Sequence, residues 1–244
     1  MGTKVVYTNL ANAEQAHGDY VWDSNVGVFK DADSSYQAWS WKRGAGLDVV
    51  SYLATGTAGQ VYSHSLGKVP EMIWIKRRSA AAEWVVYHKG LNNGTNPWEY
   101  ALYLNLNNAE ATTAHFYDTA PTSTIITVGD HGYVNEVNNY YLMTLFASVA
   151  GISKVGSYTG TGVSGKAEST GFTPRFIMIK RTDSTSNWNV WDSLRGWSDG
   201  LYLNKTDDNQ PIPWVNTTST GFTLPTTNVN VNASSGKYIY YAHA

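Results

Sequence analysis

Residues 72–88 read MIWIKRRSAAAEWVVYH, and residues 176–192 read FIMIKRTDSTSNWNVWD. Each is an apolar run ending in Ile-Lys-Arg, then a small or polar turn, then a Trp two places before a Val; the copies stand 104 positions apart. Self-similarity at this range constrains the fold more than composition does, because both copies must build the same supersecondary unit. The match extends upstream, where SYLATGTAG (51–59) answers SYTGTGVSG (157–165). Downstream, ALYLN (101–105) answers GLYLN (200–204), and VNEVNNYYLMTLFA (134–147) answers VNASSGKYIYYAHA (231–244).

The repeating unit therefore runs from Gly46 to Ser148 and again from Gly151 to Ala244. A third, partial copy opens the chain: YTNLANAEQ (7–15) resembles YLNLNNAEA (103–111), and VFKDADSSYQAWSW (28–41) fills the slot of VNEVNNYYLMTLFA. This divides the chain into a partial repeat at 1–44 and full units at 45–149 and 150–244. Half a unit cannot enclose a core, so Lys4 to Trp41 is expected to add strands to the first unit or to pair with another chain.

Local patterning is β throughout. Phe176, Met178 and Lys180 alternate with Ile177, Ile179 and Arg181, and 183–187 is a turn by composition, so the doubled stretch reads as a hairpin. On its return strand Trp84 shares a face with Val86, and Trp188 with Val190; that face is the expected core, while Tyr87 and Trp191 point the other way. Tyr140–Ala147 and Lys237–Ala244 are apolar or aromatic almost throughout, as in strands covered on both faces, and Tyr36–Trp41 is their shorter relative. The nearest thing to a helix, Ala109–Phe116, is short and Thr-rich. The expected fold is all-β: two tandem antiparallel β-sandwich units, jelly-roll-like, from an internal duplication, with the N-terminal partial repeat adding strands.

Several of these stretches carry a family resemblance. AWSWKRGAG (38–46), VVSYLATGTAG (49–59), APTSTIITVG (120–129), NNYYLMTLFASVAGISKVGSYTG (138–160) and GFTPRFIMIKRTDSTSNWNVWDSLRG (171–196) resemble a β-rich tandem-repeat family. That family is found in tail-fibre and other virion-surface proteins of tailed phages, notably marine phages and cyanophages. The resemblance covers the chain from about Gln37 onward and implies a virion location, on the tail fibre or the capsid surface, with other virion proteins as partners. It assigns no site residue, because the family has no established catalytic or ligand-binding positions.

Composition narrows the chemistry. A net charge of −2, with Lys76-Arg77-Arg78 the longest basic run, offers nucleic acid no attractive field. There is no cysteine, hence neither disulfide nor thiolate metal site, and no apolar run long enough to span a membrane as a helix. Glu71, Glu83, Glu99, Asp118, Asp130, Asp183, Asp192 and Asp199 stand in no recognisable acid/base spacing and read as turn residues. His64, His88, His115 and His131 are scattered, and no Gly-x-Ser-x-Gly elbow accompanies them. Asp31-x-Asp33 and Asp207-Asp208-Asn209 lack the ligand spacing of an EF-hand. TGTAG and TGTGVSG have no following helix to hold a phosphate. No enzyme activity, cofactor or metal is expected.

Aromatic residues near turns remain as the strongest signal. Trp and Tyr join a flat apolar face to a polar tip, which suits stacking on sugar rings and protein interfaces. Trp98, Tyr100, Tyr87 and His88 in the first unit, and Trp197, Arg195, Trp191 and Asp192 in the second, are the candidate glycan-binding residues. Trp98 and Trp197 lead because they sit in Gly-, Asn-, Pro- or Ser-rich loops. The expected function is a tail-fibre or adhesin module touching host-surface glycan. The rivals are a ligand-free capsid decoration or head-fibre subunit and, further off, a polysaccharide depolymerase. Unpaired strand edges on the half repeat give a reason to expect a homo-oligomer, with a trimer favoured.

Overall fold

The computed structural model describes residues 4–16 and 38–244. Asp31-x-Asp33 and most of the 28–41 stretch lie outside the described residues. The fold is all-β, in antiparallel sheets, and the repeat in the sequence is matched by a repeat in strand order. The first large sheet runs, edge to edge, Leu47–Leu53, Tyr140–Phe146, Met72–Arg77, Val85–His88, Tyr100–Tyr103, Ala111–Thr112. The second runs Ser153–Thr159, Lys237–His243, Phe176–Arg181, Asn189–Asp192, Gly196–Tyr202, Gln210–Pro211. The doubled stretch is indeed a hairpin in both, with Ile73 opposite Tyr87 and Ile177 opposite Trp191. The strands closing each unit, rich in aromatic and apolar residues, pair on both sides.

Both faces of each large sheet are buried, and this is where the expected core was only half of the answer. Met72, Trp84, Val86, Phe146, Phe176, Met178, Trp188, Val190 and Tyr241 form one central core shared by the two large sheets. Ile73, Ile75, Val85 and Tyr87 face the other way, onto a small sheet of Gln60–Ser63 and Ile125–Val128. Ile177, Ile179 and Trp191 do the same, against a small sheet of Lys166–Ser169, Gly221–Leu224 and Asn216–Thr218. The period-2 alternation of the hairpin strands fills a core on each side, because both of their faces are covered.

Each unit repeats a set of polar ties. Tyr52 stacks on Tyr141 (centroids 5.1 Å apart) and Tyr158 on Tyr238 (4.9 Å). Their hydroxyls donate to the short helical turns Gly132–Asn135 and Val229–Asn232: Tyr52 to Val134 O (2.7 Å) and Tyr158 to Val231 O (2.7 Å). The Arg of Ile-Lys-Arg reaches the same turns, Arg77 to Gly132 O and Arg181 to Val229 O, both at 3.2 Å. Fully buried Asn135 and Asn232 tie the Gly-rich loops to those turns; Asn232 Nδ2 donates to Val163 O and Thr226 O (2.8 Å each) while its Oδ1 takes Thr161 N–H (2.9 Å). TGTAG and TGTGVSG are thus structural loops. Ala109–Phe116 holds no helix, only the short strand Ala111–Thr112.

Residues 17–37 of the segment expected to add strands lie outside the described residues. Among the described ones, Lys4–Val5 pairs with Gln15–Ala16 in a two-stranded ribbon that adds no strand to the large sheet. It docks on the first hairpin instead: the Trp84 indole N–H and the Lys76 ammonium donate to Tyr7 O (2.8 Å) and Ala11 O (3.0 Å), and Ala82 N–H and Glu14 N–H close the join (2.8 Å each). The same four contacts bind the first unit to the second. Trp188 donates to Tyr103 O (2.9 Å), Lys180 to Asn107 O (3.4 Å), Ser186 N–H to Asn107 O (2.9 Å) and Glu110 N–H to Thr182 O (2.8 Å). Tyr7–Glu14 and Tyr103–Glu110 are therefore equivalent segments, each laid on the hairpin of the following unit. Described residues Ala38–Trp41 are not in a strand; they cross to the second unit, where they build the site below.

Candidate functional site

A pocket of about 500 Å³ opens where Ala38–Trp41 meets the end of the second large sheet. Trp39 and Trp41 supply one wall, and Phe176, Asp192, Arg175 and His243 the other. Both indoles pack edge-on against Phe176, with ring centroids 5.4 and 5.3 Å away, which fixes their planes and leaves them half-buried.

The polar groups divide into spent and available ones. Asp192, 3% exposed, accepts four hydrogen bonds: Arg195 Nε (2.6 Å), the N–H groups of Arg195 (3.0 Å) and Leu194 (3.1 Å), and the Trp39 indole (3.3 Å). That saturates a carboxylate and makes it a structural anion. Arg195 lies over the Trp39 ring at 5.7 Å and also donates to Asn209 Oδ1 (2.8 Å). The Tyr241 hydroxyl lies 3.0 Å from His243 Nδ1. Burial lowers the His243 pKa, favouring the neutral imidazole. Arg175 is exposed, and its guanidinium takes no hydrogen bond or ion pair among the described residues.

Of the residues expected to bind glycan, the structure brings Asp192 to the pocket wall, with Arg195 bound to it and over the Trp39 ring. Tyr87, His88 and Trp191 are corrected: they are 4%, 0% and 0% exposed and present no surface to a ligand. Tyr87 and Trp191 occupy the outer cores because those faces are covered by the small sheets. His88 lies beneath the second unit, its Nδ1 taking Gly90 N–H (2.9 Å) and its Nε2 meeting Tyr240 O (3.4 Å). Burial drives its pKa down to about 3. Trp98, Tyr100 and Trp197 are half-buried, each against a different core, and are not gathered into one site. Sequence reasoning missed Trp39, Trp41, Arg175 and His243, whose convergence depends on a fold-back across more than half the chain. The available signal was AWSW itself, two indoles at period 2 beside a turn.

No cluster of three or more His, Asp or Glu among the described residues could hold a metal ion. Asp207 pairs with Lys205 (3.1 Å), while Asn209 serves Arg195. No helix among the described residues is long and apolar enough to cross a membrane.

No curated protein and no solved structure matches this chain. A family model does, across residues 3–244, and the chain therefore belongs to DUF7483, a domain of unknown function.

Proposed function

We propose that this chain is a non-enzymatic binding module of a tailed-phage virion surface, a tail-fibre or adhesin element, whose Trp39–Trp41 pocket takes a host-surface glycan. The observation that carries the binding reading is the pair of half-buried indoles held rigid against Phe176 beside polar groups. Fixed aromatic faces stack on pyranose rings at little entropic cost. The oxygens of Asp192 are all engaged within the protein and leave no lone pair for a substrate, in keeping with binding without turnover. The virion setting rests on the sequence resemblance of residues 37–244. In the same reading the two units are jelly-roll-like sandwiches from an internal duplication, supported by the matching strand order of their large sheets and by matched polar ties.

Glycan-array and whole-cell binding test the proposal. The intact protein is expected to bind a subset of glycans, and Trp39→Ala and Trp41→Ala to lose that binding while the variants still unfold cooperatively. Absence of glycan or cell binding by the folded protein would favour the rival, a ligand-free decoration or head-fibre subunit. That rival draws support from the burial of so many aromatics, Tyr87 and Trp191 among them. Copy number per particle separates the two, and a solution mass reports whether copies trimerise.

A further inference from the structure

The pocket's chemistry goes beyond a flat surface for sugar rings, and we infer that its ligand carries a carboxylate, as an acidic saccharide of the uronic-acid kind. This rests on the glycan-binding reading above and sharpens it.

Three observations converge. The one carboxylate side chain in the wall, Asp192, is fully engaged by Arg195, two backbone N–H groups and the Trp39 indole, so it has no capacity left for a sugar hydroxyl. His243 lines the same pocket, with its Nδ1 3.0 Å from the Tyr241 hydroxyl. Arg175, on the same wall, is an exposed guanidinium with no ion pair of its own among the described residues. The polar side chains of the wall besides Asp192 are thus Arg175, His243, Ser40 and Ser193, of which the Arg175 guanidinium carries a positive charge unpaired among the described residues. A neutral sugar offers that charge only hydroxyl and ring oxygens. A carboxylate matches the planar guanidinium in two parallel, charge-assisted hydrogen bonds.

The test compares an oligogalacturonate with its methyl ester, which keeps the ring faces and hydroxyls and removes only the charge. Titration calorimetry with the full chain is expected to show the free acid binding about tenfold or more tightly than the ester, the contribution of one charge-assisted pair. Arg175→Ala should abolish that preference while leaving weak binding of both, and Arg175→Lys should restore part of it. Trp39→Ala should weaken acid and ester alike. Equal affinity for acid and ester, or a preference that survives Arg175→Ala, would overturn the inference while leaving the glycan reading in place. Binding of neither, together with a blank array, would overturn both.

Discussion

Gly156 and Tyr240 face each other across neighbouring strands of the second large sheet, where Val50 and Met143 face each other in the first. A Cβ on Gly156 would lie 2.3 Å from Tyr240 Cζ, so the missing side chain in one strand makes room for the ring in the next. The two pairs are alternative fillings of one volume. Gly156→Val alone is expected to destabilise by about 1–3 kcal/mol through overpacking, and Gly156→Val with Tyr240→Met to recover most of it; urea melts of the three variants check this as a double-mutant cycle. The buried histidines set the acid limit. His88 and His115 have folded pKa values lowered, mainly by burial, to about 3 and about 4. Below the ordinary imidazole pKa of about 6.5 the unfolded chain takes up protons that the folded one refuses, so stability falls from there down toward pH 4. Thermal melts between pH 7 and 4 should show that decline, and His88→Gln should make it shallower.

The hairpin is the element whose letters now all have work. Ile73, Ile75, Ile177 and Ile179 fill the outer cores, Arg77 and Arg181 hold the helical turns, and Lys76 and Lys180, with Trp84 and Trp188, take carbonyls of the preceding segment. The sequence shows the hairpin, its turn and its inward Trp-Val face through period-2 alternation and turn composition. It does not show the join, because Tyr7, Ala11, Tyr103 and Asn107 contribute backbone carbonyls there, and a carbonyl has no letter. Burying Lys180 lowers its pKa to about 7, and Lys76 to about 8. From about pH 7 upward the unfolded chain holds protons the folded one has released, so these lysines make stability rise with pH. Above pH 10 the buried Tyr52 and Tyr158, whose pKa values burial raises, reverse the slope. Melting temperature is therefore expected to peak near pH 9–10, and Lys180→Met to flatten the approach to that peak. Asn232→Ala, which strands the loop groups it satisfies, should cost more than about 2 kcal/mol by chemical denaturation.

At the scale of the whole molecule the central core decides the behaviour. Trp84, Phe146, Trp188 and Tyr241 belong to different units of the sequence but to one packed interior, so neither unit can lose its structure without exposing the other's apolar face. Calorimetry should give a single transition with matching calorimetric and van't Hoff enthalpies, and two resolved transitions would contradict the shared core. The repeat made the unit and its strands legible, since identical patterns must fold alike. The stacking of the units and the Trp39–Trp41 pocket were not, because both faces of a large sheet read as apolar and nothing in a period-2 pattern says which partner covers which. The joins between segments carry a further lesson about which positions can drift. At each one the hairpin offers side chains and the preceding segment offers main chain: Trp84 and Lys76 to Tyr7 O and Ala11 O, Trp188 and Lys180 to Tyr103 O and Asn107 O. A lock made of peptide carbonyls is indifferent to what its residues are called, so substitutions at Ala11 and Asn107 leave it intact while loss of Trp or Lys removes the key. Saturation mutagenesis should find a tolerant stretch facing an intolerant one, an asymmetry of inheritance between two surfaces in equal contact.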